Sequence, residues 1–258
     1  MRRREYLGAV LAMAMAVAAA PAHAQTTAAA KAAIDPAAMT ALQGMGAYLR
    51  TLKTFQVEAL TTNEDVLEDG LKTQYSGTVN ILARMPDRLR ADVSNERVER
   101  MYLYDGKTFT LFAKRLNYFA TVPAPPTIGQ LADKLDENYG IGVPLSDLFR
   151  WGTPGFSTEA ITGAKDLGPS DVDGTTCQHY AFRQDDIDWQ IWIQKGDNAL
   201  PRKLVITTKT DEARPQTSAV YTWNLAPSFN DATFTFDPPA GAGKVVLAEI
   251  KAAAAATE

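Results

Sequence analysis

The chain has 258 residues, of which 46% are hydrophobic and 22% are charged, and its formal net charge at pH 7 is -4. This length is typical of one domain, and an acidic chain without a long Lys/Arg run lacks the electrostatic footprint of a nucleic-acid binder. The single cysteine, Cys177, cannot form an internal disulfide, so the fold must be held by its own hydrophobic core.

The N-terminus has the three parts of a secretory signal peptide. Arg2-Arg3-Arg4 precedes an apolar stretch over Leu7–Ala20, and Ala22-His23-Ala24 provides a small-x-small cleavage site. We expect cleavage after Ala24, which removes residues 1–24 and leaves an exported, periplasmic protein. Arg3-Arg4 also fits a twin-arginine signal, so the general and the twin-arginine export routes both stay open.

Residues 25–34 form an Ala/Thr-rich leader that we expect to be flexible, and a helix follows it. Asp35 is a good N-cap, and Pro36 occupies the first helical position. Small and apolar residues then recur at three- and four-residue spacing, which predicts a helix packed on the sheet: Met39, Leu42, Gly46, Leu49 and Leu52. A second interpretation is that Gly44 and Gly46 thin the helix so that it lies close to a ligand or shifts.

Six strand signals come next, with apolar and polar residues alternating along each. They are Phe55–Thr61, Lys72–Arg84, Arg88–Ser94, Glu99–Tyr104, Thr108–Ala113 and Tyr118–Val122. Because their connections are short, with Asp105-Gly106 as a tight turn, we expect neighbouring strands to be antiparallel. The sheet they form should have one solvent-exposed face and one buried face.

A helical insertion interrupts the strands. Pro123, Pro125 and Pro126 end the sixth strand, and Thr127 is the expected N-cap of a helix. The apolar stripe of this helix consists of Ile128, Leu131, Leu135 and Tyr139. A second short helix is expected to begin near Ser146, in an unusually apolar segment. We interpret the two helices as a lid over the sheet, with an inert cap on its end as the alternative.

Five further strand signals complete a fold that is mainly β with a few helices. They are Thr158–Leu167, Thr175–Gln184, Asp188–Gln194, Arg202–Thr210 and Gln216–Leu225. Roughly eleven antiparallel strands in one sheet must curl to bury one face, covered by the N-terminal helix and the lid. We assign residues 35–247 to this single domain and residues 248–258 to an Ala-rich tail.

Six segments spread over the mature chain carry a family resemblance: Ala47–Phe55, Met85–Arg90, Tyr104–Thr108, Asp188–Ile193, Leu200–Leu204 and Phe234–Pro239. Together they resemble a family of uncharacterised predicted periplasmic proteins whose fold is similar to the outer-membrane lipoprotein carriers LolA and LolB. The resemblance implies an unclosed β-barrel that holds acyl chains beneath helical cover.

The residues that could carry chemistry favour a protein without catalytic activity, metal or cofactor. Cys177 and His179 lie on one face of one strand, about 6 to 7 Å apart, which is too far for a nucleophile and base in hydrogen-bond contact. The acidic segments 171–174 and 185–188 lack the ligand spacing of a calcium loop and are typical of turns. Arg84, Arg88 and Arg90 could meet an anionic head group, or simply pair with nearby aspartates.

We therefore predict a periplasmic, non-enzymatic binding or carrier protein for a hydrophobic ligand, such as a lipid or lipoprotein acyl chain, compatible with a membrane or lipoprotein partner. Burial of the chain would contribute about 0.8 kcal/mol per methylene. The side chains expected to line the cavity and lid are Val57, Phe109, Leu111, Ile128, Leu131, Leu135, Leu148, Phe149, Trp151, Trp189, Ile191, Ile193, Leu204, Ile206, Tyr221 and Trp223.

The alternative prediction is a protein–protein interaction module. The same architecture resembles periplasmic sensor domains that regulate envelope-stress signalling by gripping a membrane partner. An exposed apolar patch on the outer face of the sheet would favour this alternative over the carrier. A sheet interior filled tightly by side chains would also disfavour the carrier.

Overall fold

The structure of the protein is a computed structural model that describes residues 33–250. The predicted signal peptide, residues 25–32 of the leader and residues 251–258 of the tail lie outside this described part. Within it, the chain forms three α-helices: α1 over Pro36–Thr51, α2 over Ile128–Tyr139 and α3 over Asp147–Arg150. None of these described helices has both the length and the apolar character needed to cross a membrane.

The strands of the described chain belong to one sheet with the order β12-β6-β5-β4-β3-β2-β1-β11-β10-β9-β8-β7. They are β1 Thr54–Val66, β2 Lys72–Arg84, β3 Arg88–Asn95, β4 Glu99–Tyr104, β5 Thr108–Ala113, β6 Tyr118–Pro123, β7 Gly163–Val172, β8 Thr175–Arg183, β9 Ile187–Gln194, β10 Pro201–Thr208, β11 Gln216–Asn224 and β12 Gly243–Lys244. The fold is mainly β, and its curled, unclosed sheet agrees with the prediction.

The helical insertion carries the chain across the sheet. It leaves β6, which is next to one edge, and leads to β7 at the opposite edge. The strands therefore form two antiparallel meanders, which meet where β1 pairs with β11, with Leu60 opposite Val220. This crossing places α2 and α3 over the inner face of the sheet.

Short segments near both ends of the described chain lie along the sheet edges. Ile34 forms a parallel bridge with Ala164 of β7, and β12 pairs in parallel with β6. Beyond β12, the backbone N–H of Ile250 donates to the carbonyl of Asn138 at the end of α2, at 2.7 Å. Since an open strand edge is a template for pairing with other chains, the pairings of Ile34 and β12 cover part of the two edges.

The inner face of the sheet carries the hydrophobic core, and all three helices pack on it. The residues that face inward alternate along each strand, as the two-residue period requires. Fully buried members of this core come from helices and strands alike, and they include Leu42, Met45, Leu49, Val57, Ile81, Leu89, Phe109, Ile128, Leu131, Leu135 and Ile191.

Helix α1 touches the chain just after α3 through two glycines. A Cβ atom at Gly46 would lie 2.7 Å from the backbone nitrogen of Gly152, a distance that real Cβ atoms do not show. Gly152 has a φ of +73°, which also favours glycine. Gly46 therefore allows close contact between two backbone segments, whereas an added Cβ at Gly44 would meet no described atom within 4 Å.

Arg50 fixes the end of α3 to α1. Its guanidinium donates from Nη1 to the carbonyl of Phe149 at 3.0 Å and from Nη2 to the carbonyl of Leu148. Carbonyls in the last turn of a helix lack partners within the helix, so the arginine satisfies them from outside. Burial lowers the pKa of Arg50. The contact ties the insertion to the N-terminal helix.

Strand β7 differs from the sequence prediction at both ends. Predicted over 158–167, it begins at Gly163, because the N–H of Ile161 donates to the carbonyl of Thr158 at 3.0 Å and closes a turn there. The strand then continues to Val172 past a register shift at Gly168, whose φ is +93°. Such a bulge absorbs one extra residue and lets pairing resume.

Candidate functional site

A cleft of about 410 Å³ opens between the helical insertion and the inner face of β9 and β10. This volume lies within the range of about 300 to 1,000 Å³ that is typical of small-molecule pockets. The apolar part of its lining comes from both sides: Ile187, Trp189, Leu204 and Ile206 on the sheet, and Trp151 and Phe156 on the insertion.

The sheet side of the cleft is a continuous apolar surface, because inward-facing residues of β9 and β10 are direct neighbours. Ile206 lies opposite Trp189 in the strand pairing. The Trp189 ring stacks on Phe182 of β8, with ring centroids 4.2 Å apart. Within residues 33–250, the buried indole Nε1 of Trp189 has no hydrogen-bond partner. The sheet side of the cleft thus presents large side chains packed on one another, one of which carries an unpaired indole N–H within the described residues.

One end of the cleft is polar. Asp133 of α2 accepts a hydrogen bond from Nη2 of Arg150 at 2.6 Å, and Asp147 begins α3 beside them. Burial raises the pKa of the Asp147 carboxyl, and the charge of Arg150 offsets this only in part. Burial and the nearby Asp147 also raise the pKa of the Tyr221 phenol. The cleft therefore combines apolar side chains of β9 and β10 with two carboxyls and one guanidinium, and Gln184 and Ser157 add further polar groups to its lining.

The structure places the predicted lining residues in two groups. Four of them line the cleft: Trp151, Trp189, Leu204 and Ile206. The others belong to the packed core or pack directly against it: Val57, Phe109, Leu111, Ile128, Leu131, Leu135, Leu148, Phe149, Ile191, Ile193, Tyr221 and Trp223. Ligand contact by any residue of either group stays a prediction.

Two features of the cleft were not predicted from the sequence: its polar end and the aromatic residue of its outer wall. Asp147 follows Ser146 in the predicted second helix, but its neighbours in space, Asp133 and Tyr221, are distant in sequence. Phe156 stands in a segment rich in glycine and proline, Gly152-Thr153-Pro154-Gly155. A large aromatic residue in such a loop was the available signal, because an aromatic in a loop is often buried against the domain.

Cys177 and His179 have separate partners on the outer face of the sheet. The Cys177 Sγ contacts the carbonyl of Thr175 at 3.4 Å, and the imidazole Nε2 of His179 lies 3.0 Å from Oε1 of Gln190. The His179 ring also stacks on Trp192 at 3.9 Å. Burial raises the pKa of the Cys177 thiol and lowers the pKa of His179. The thiol and the ring form no nucleophile–base contact with each other.

The acidic segments 171–174 and 185–188 form turns and ion pairs. Asp188 accepts hydrogen bonds from Arg183 at 2.8 Å and Arg214 at 3.1 Å. Asp173, with a φ of +48°, and Gly174 form the turn between β7 and β8. No group of three or more metal-binding side chains occurs within residues 33–250.

The three arginines near the β2–β3 turn pair with aspartates. Arg84 contacts Asp231 at 2.6 Å, Arg88 contacts Asp87 at 2.9 Å, and Arg90 contacts Asp92 at 2.7 Å. None of the three arginines lines the cleft. The sequence left two interpretations open for these arginines, contact with an anionic head group or pairing with aspartates. The structure shows all three paired with aspartates.

The outer face near the centre of the sheet carries an exposed leucine. Leu60 of β1 is 66% exposed, and its direct partners in the neighbouring strands are Thr78 and Val220. Leu60 and Val220 line a depression of about 410 Å³ together with polar residues, which include Glu58, Asn80 and Thr222. This part of the outer face is therefore mostly polar.

Comparison with known families identifies one match. Residues 38–248 match the family described as "Predicted periplasmic protein (DUF2092)", which confirms the family and the periplasmic location predicted from the sequence. No curated protein matches the chain.

Several solved structures are similar to the chain at low sequence identity. An uncharacterised conserved protein from Thermus thermophilus is 9% identical, with a TM-score of 0.48 over 81% of this chain and 99% of that chain. The lipoprotein LppX of Mycobacterium tuberculosis is 11% identical, with a TM-score of 0.46 over 76% of this chain and 100% of that chain. A LolA superfamily protein from Nitrosomonas europaea is 11% identical, with a TM-score of 0.34 over 77% of this chain and 97% of that chain.

Proposed function

The chain belongs to the DUF2092 family of predicted periplasmic proteins, and from that premise we propose that it binds one amphiphilic molecule, such as a lipid or lipoprotein acyl chain, without catalysing a reaction. The observation that carries the proposal is the cleft of about 410 Å³ between the insertion and β9 and β10. Its apolar floor and polar end match the two parts of an amphiphile.

The apolar floor supplies the binding energy. Each methylene that moves from water into the cleft contributes about 0.8 kcal/mol, against several kcal/mol of lost translational and rotational freedom. A chain of about a dozen methylenes therefore leaves a clear surplus on this arithmetic. The stacked pair of Trp189 and Phe182 adds rigidity, which lowers the entropic cost of ordering the pocket.

The polar end selects the head group. Two carboxyls, Asp133 and Asp147, face one guanidinium, Arg150, which is already paired with Asp133. A further carboxylate or phosphate would meet like charge there, whereas an amine or a neutral hydrogen-bond donor finds an acceptor in Asp147. We therefore place a cationic or uncharged head group at this end and the chain along β9 and β10.

Release of the ligand requires part of the insertion to move. Helix α3 is held by Arg50 and by the Gly46–Gly152 contact, so the segment between Gly152 and Ile161 is the part we expect to open. A carrier that opens in this way delivers its chain to a membrane or lipoprotein partner instead of exposing it to water.

Calorimetric titration with dodecylamine and with laurate, which share a similar apolar chain, tests the proposal. We expect saturable one-to-one binding, with dodecylamine the tighter ligand. Ile206→Trp fills the cleft and should weaken binding at least tenfold, which corresponds to about 1.4 kcal/mol. Val205→Trp is the matched control, because the neighbouring residue points to the outer face and its change should leave binding unaltered.

Absence of binding by both amphiphiles, together with no lipid in native mass spectra of protein purified from periplasm, would overturn the proposal. Equal loss of binding in the Ile206→Trp and Val205→Trp variants would place the ligand elsewhere. We do not propose the protein–protein module as a second function, since the outer face around Leu60 is mostly polar.

A further inference from the structure

A second cleft, of about 390 Å³, lies between α1 and the loop that follows α3. Leu42 and Ala47 of α1 form one of its walls, and Thr153 and Pro154 of the loop form another. Phe156 lines both this cleft and the cleft of the proposed function. A single aromatic side chain is therefore shared by two cavities of similar size.

The loop between the two clefts is fixed at its ends. Gly152 lies against the backbone of Gly46, and Ile161 is buried in the core with 4% of its surface exposed. Between these points the Phe156 N–H donates to the carbonyl of Thr153 at 3.0 Å. An added Cβ at Gly155 would meet no described atom within 4 Å, so there is free space beside the loop.

The ring of Phe156 is only half-buried, although it packs against the core. Side-chain rotation in such a position is far less costly than movement of the helices that Arg50 and the two glycines hold together. The ring is thus the part of the wall between the clefts that can move by itself.

We infer that Phe156 is a partition that sets the length of the apolar chain the protein accepts. With the ring in place, the chain ends inside the first cleft. With the ring turned aside, the two clefts join, and a longer unbranched chain passes from the polar end at Asp147 to the surface of α1 at Leu42 and Ala47. This inference rests on the proposed function and names the specificity of the same site.

The polarity of the two clefts supports a long chain over two separate ligands. The first cleft has charged residues at one end, Asp133, Asp147 and Arg150, where a head group would stay. The second cleft has no charged residue among its described lining side chains. An uncharged cavity on the far side of Phe156 suits the continuation of an apolar chain.

A series of primary alkylamines with eight to eighteen carbons, titrated calorimetrically below their micellar concentrations, tests the inference. In the unchanged protein we expect affinity to rise up to about fourfold per added methylene. The rise should stop at the chain length that fills the first cleft, and we call this chain length the break. In Phe156→Ala this break should move to longer chains by several carbons. In Phe156→Trp, which enlarges the partition, it should stay or move to shorter chains.

Phe236→Ala is the matched control, because it removes an equivalent half-buried ring from the outer face, where Phe236 packs on Phe112 and Phe119. Its break should coincide with that of the unchanged protein. Far-ultraviolet circular dichroism and thermal unfolding verify that each variant folds. If Phe156→Ala fails to fold, the comparison of Phe156→Leu with Phe156→Trp replaces it, and the leucine variant should accept the longer chains.

The possible failures are distinguishable. Absence of binding for every amine would overturn the proposed function itself. Binding with the same break in the unchanged protein, in Phe156→Ala or Phe156→Leu and in Phe156→Trp would leave the proposed function standing and overturn the partition.

Discussion

The inner face of the sheet has a filled half and an open half, although the same two-residue alternation runs through both. In the filled half, Phe55 of β1 stacks with Phe149 of α3 at 6.1 Å, and Leu131 of α2 is completely buried. In the open half, Trp189 and Leu204 also belong to the core, but one side of each borders the cleft beneath α2 and α3. The difference teaches that alternation decides which side chains face inward, whereas the position of the covering segment decides whether they meet protein or a cavity.

Truncation of a side chain in the filled half should have the largest effect on stability. Leu131→Ala removes fully buried atoms from the inward face of α2 and leaves a cavity. It should lower the free energy of unfolding by about 2 to 5 kcal/mol. Urea denaturation measures the loss. Leu60→Ala, at a leucine that is 66% exposed, should change stability by less than about 0.5 kcal/mol. Equal losses at the two sites would mean that the half under α2 is not tightly packed.

Alteration of the contact between α1 and the loop should have an intermediate effect. Gly46→Ala places a Cβ against the backbone of Gly152, so one segment must shift, and we expect a loss of about 1 to 3 kcal/mol in thermal or urea unfolding. Gly44→Ala in the same helix has open space and should raise stability by up to about 1 kcal/mol. The same Gly→Ala change should thus lower the free energy of unfolding at position 46 and raise it at position 44. A change of the same sign at both positions would contradict the close contact.

Neutralisation of the polar end of the open half should have the smallest effect, and it should depend on pH. Burial raises the pKa of Asp147 in the folded state, so the folded protein keeps this proton to higher pH than the unfolded chain does. Stability should therefore fall as pH rises from the ordinary carboxyl pKa of 3.8 through the raised value. Asp147→Asn removes this loss and should raise the free energy of unfolding by on the order of 1 kcal/mol at pH 7.

The control for this pH dependence is Asp133→Asn. Its carboxylate is largely exposed and paired with Arg150, so the substitution should not stabilise the protein at pH 7. Unfolding measured across pH 3 to 8 should show the Asp147→Asn gain disappearing toward the acidic end. A gain that stays constant with pH would contradict a raised pKa at this position.

Local features of the helices were predictable because their signals lie within a few residues. The Asp35 side chain accepts a hydrogen bond from the N–H of Ala37 at 2.8 Å, as an N-cap should. Helix α2 likewise begins after Thr127 and ends before Gly140, which has a φ of +61°. The predicted start of β7 was wrong, because the alternation after Thr158 continues through a turn that a hydrogen bond from the Ile161 N–H to the Thr158 carbonyl closes.

By itself, the sequence determined the mainly β fold with its helical insertion, because caps, turns and two-residue alternation are local properties of the chain. Only the tertiary structure decided where the inner face stays open, since that depends on contacts between distant residues such as Gly46 and Gly152. The raised pKa of Asp147 and the double role of Phe156 have the same origin. Desolvation and cavity shape are properties of the packed chain, and no pattern within one segment encodes them.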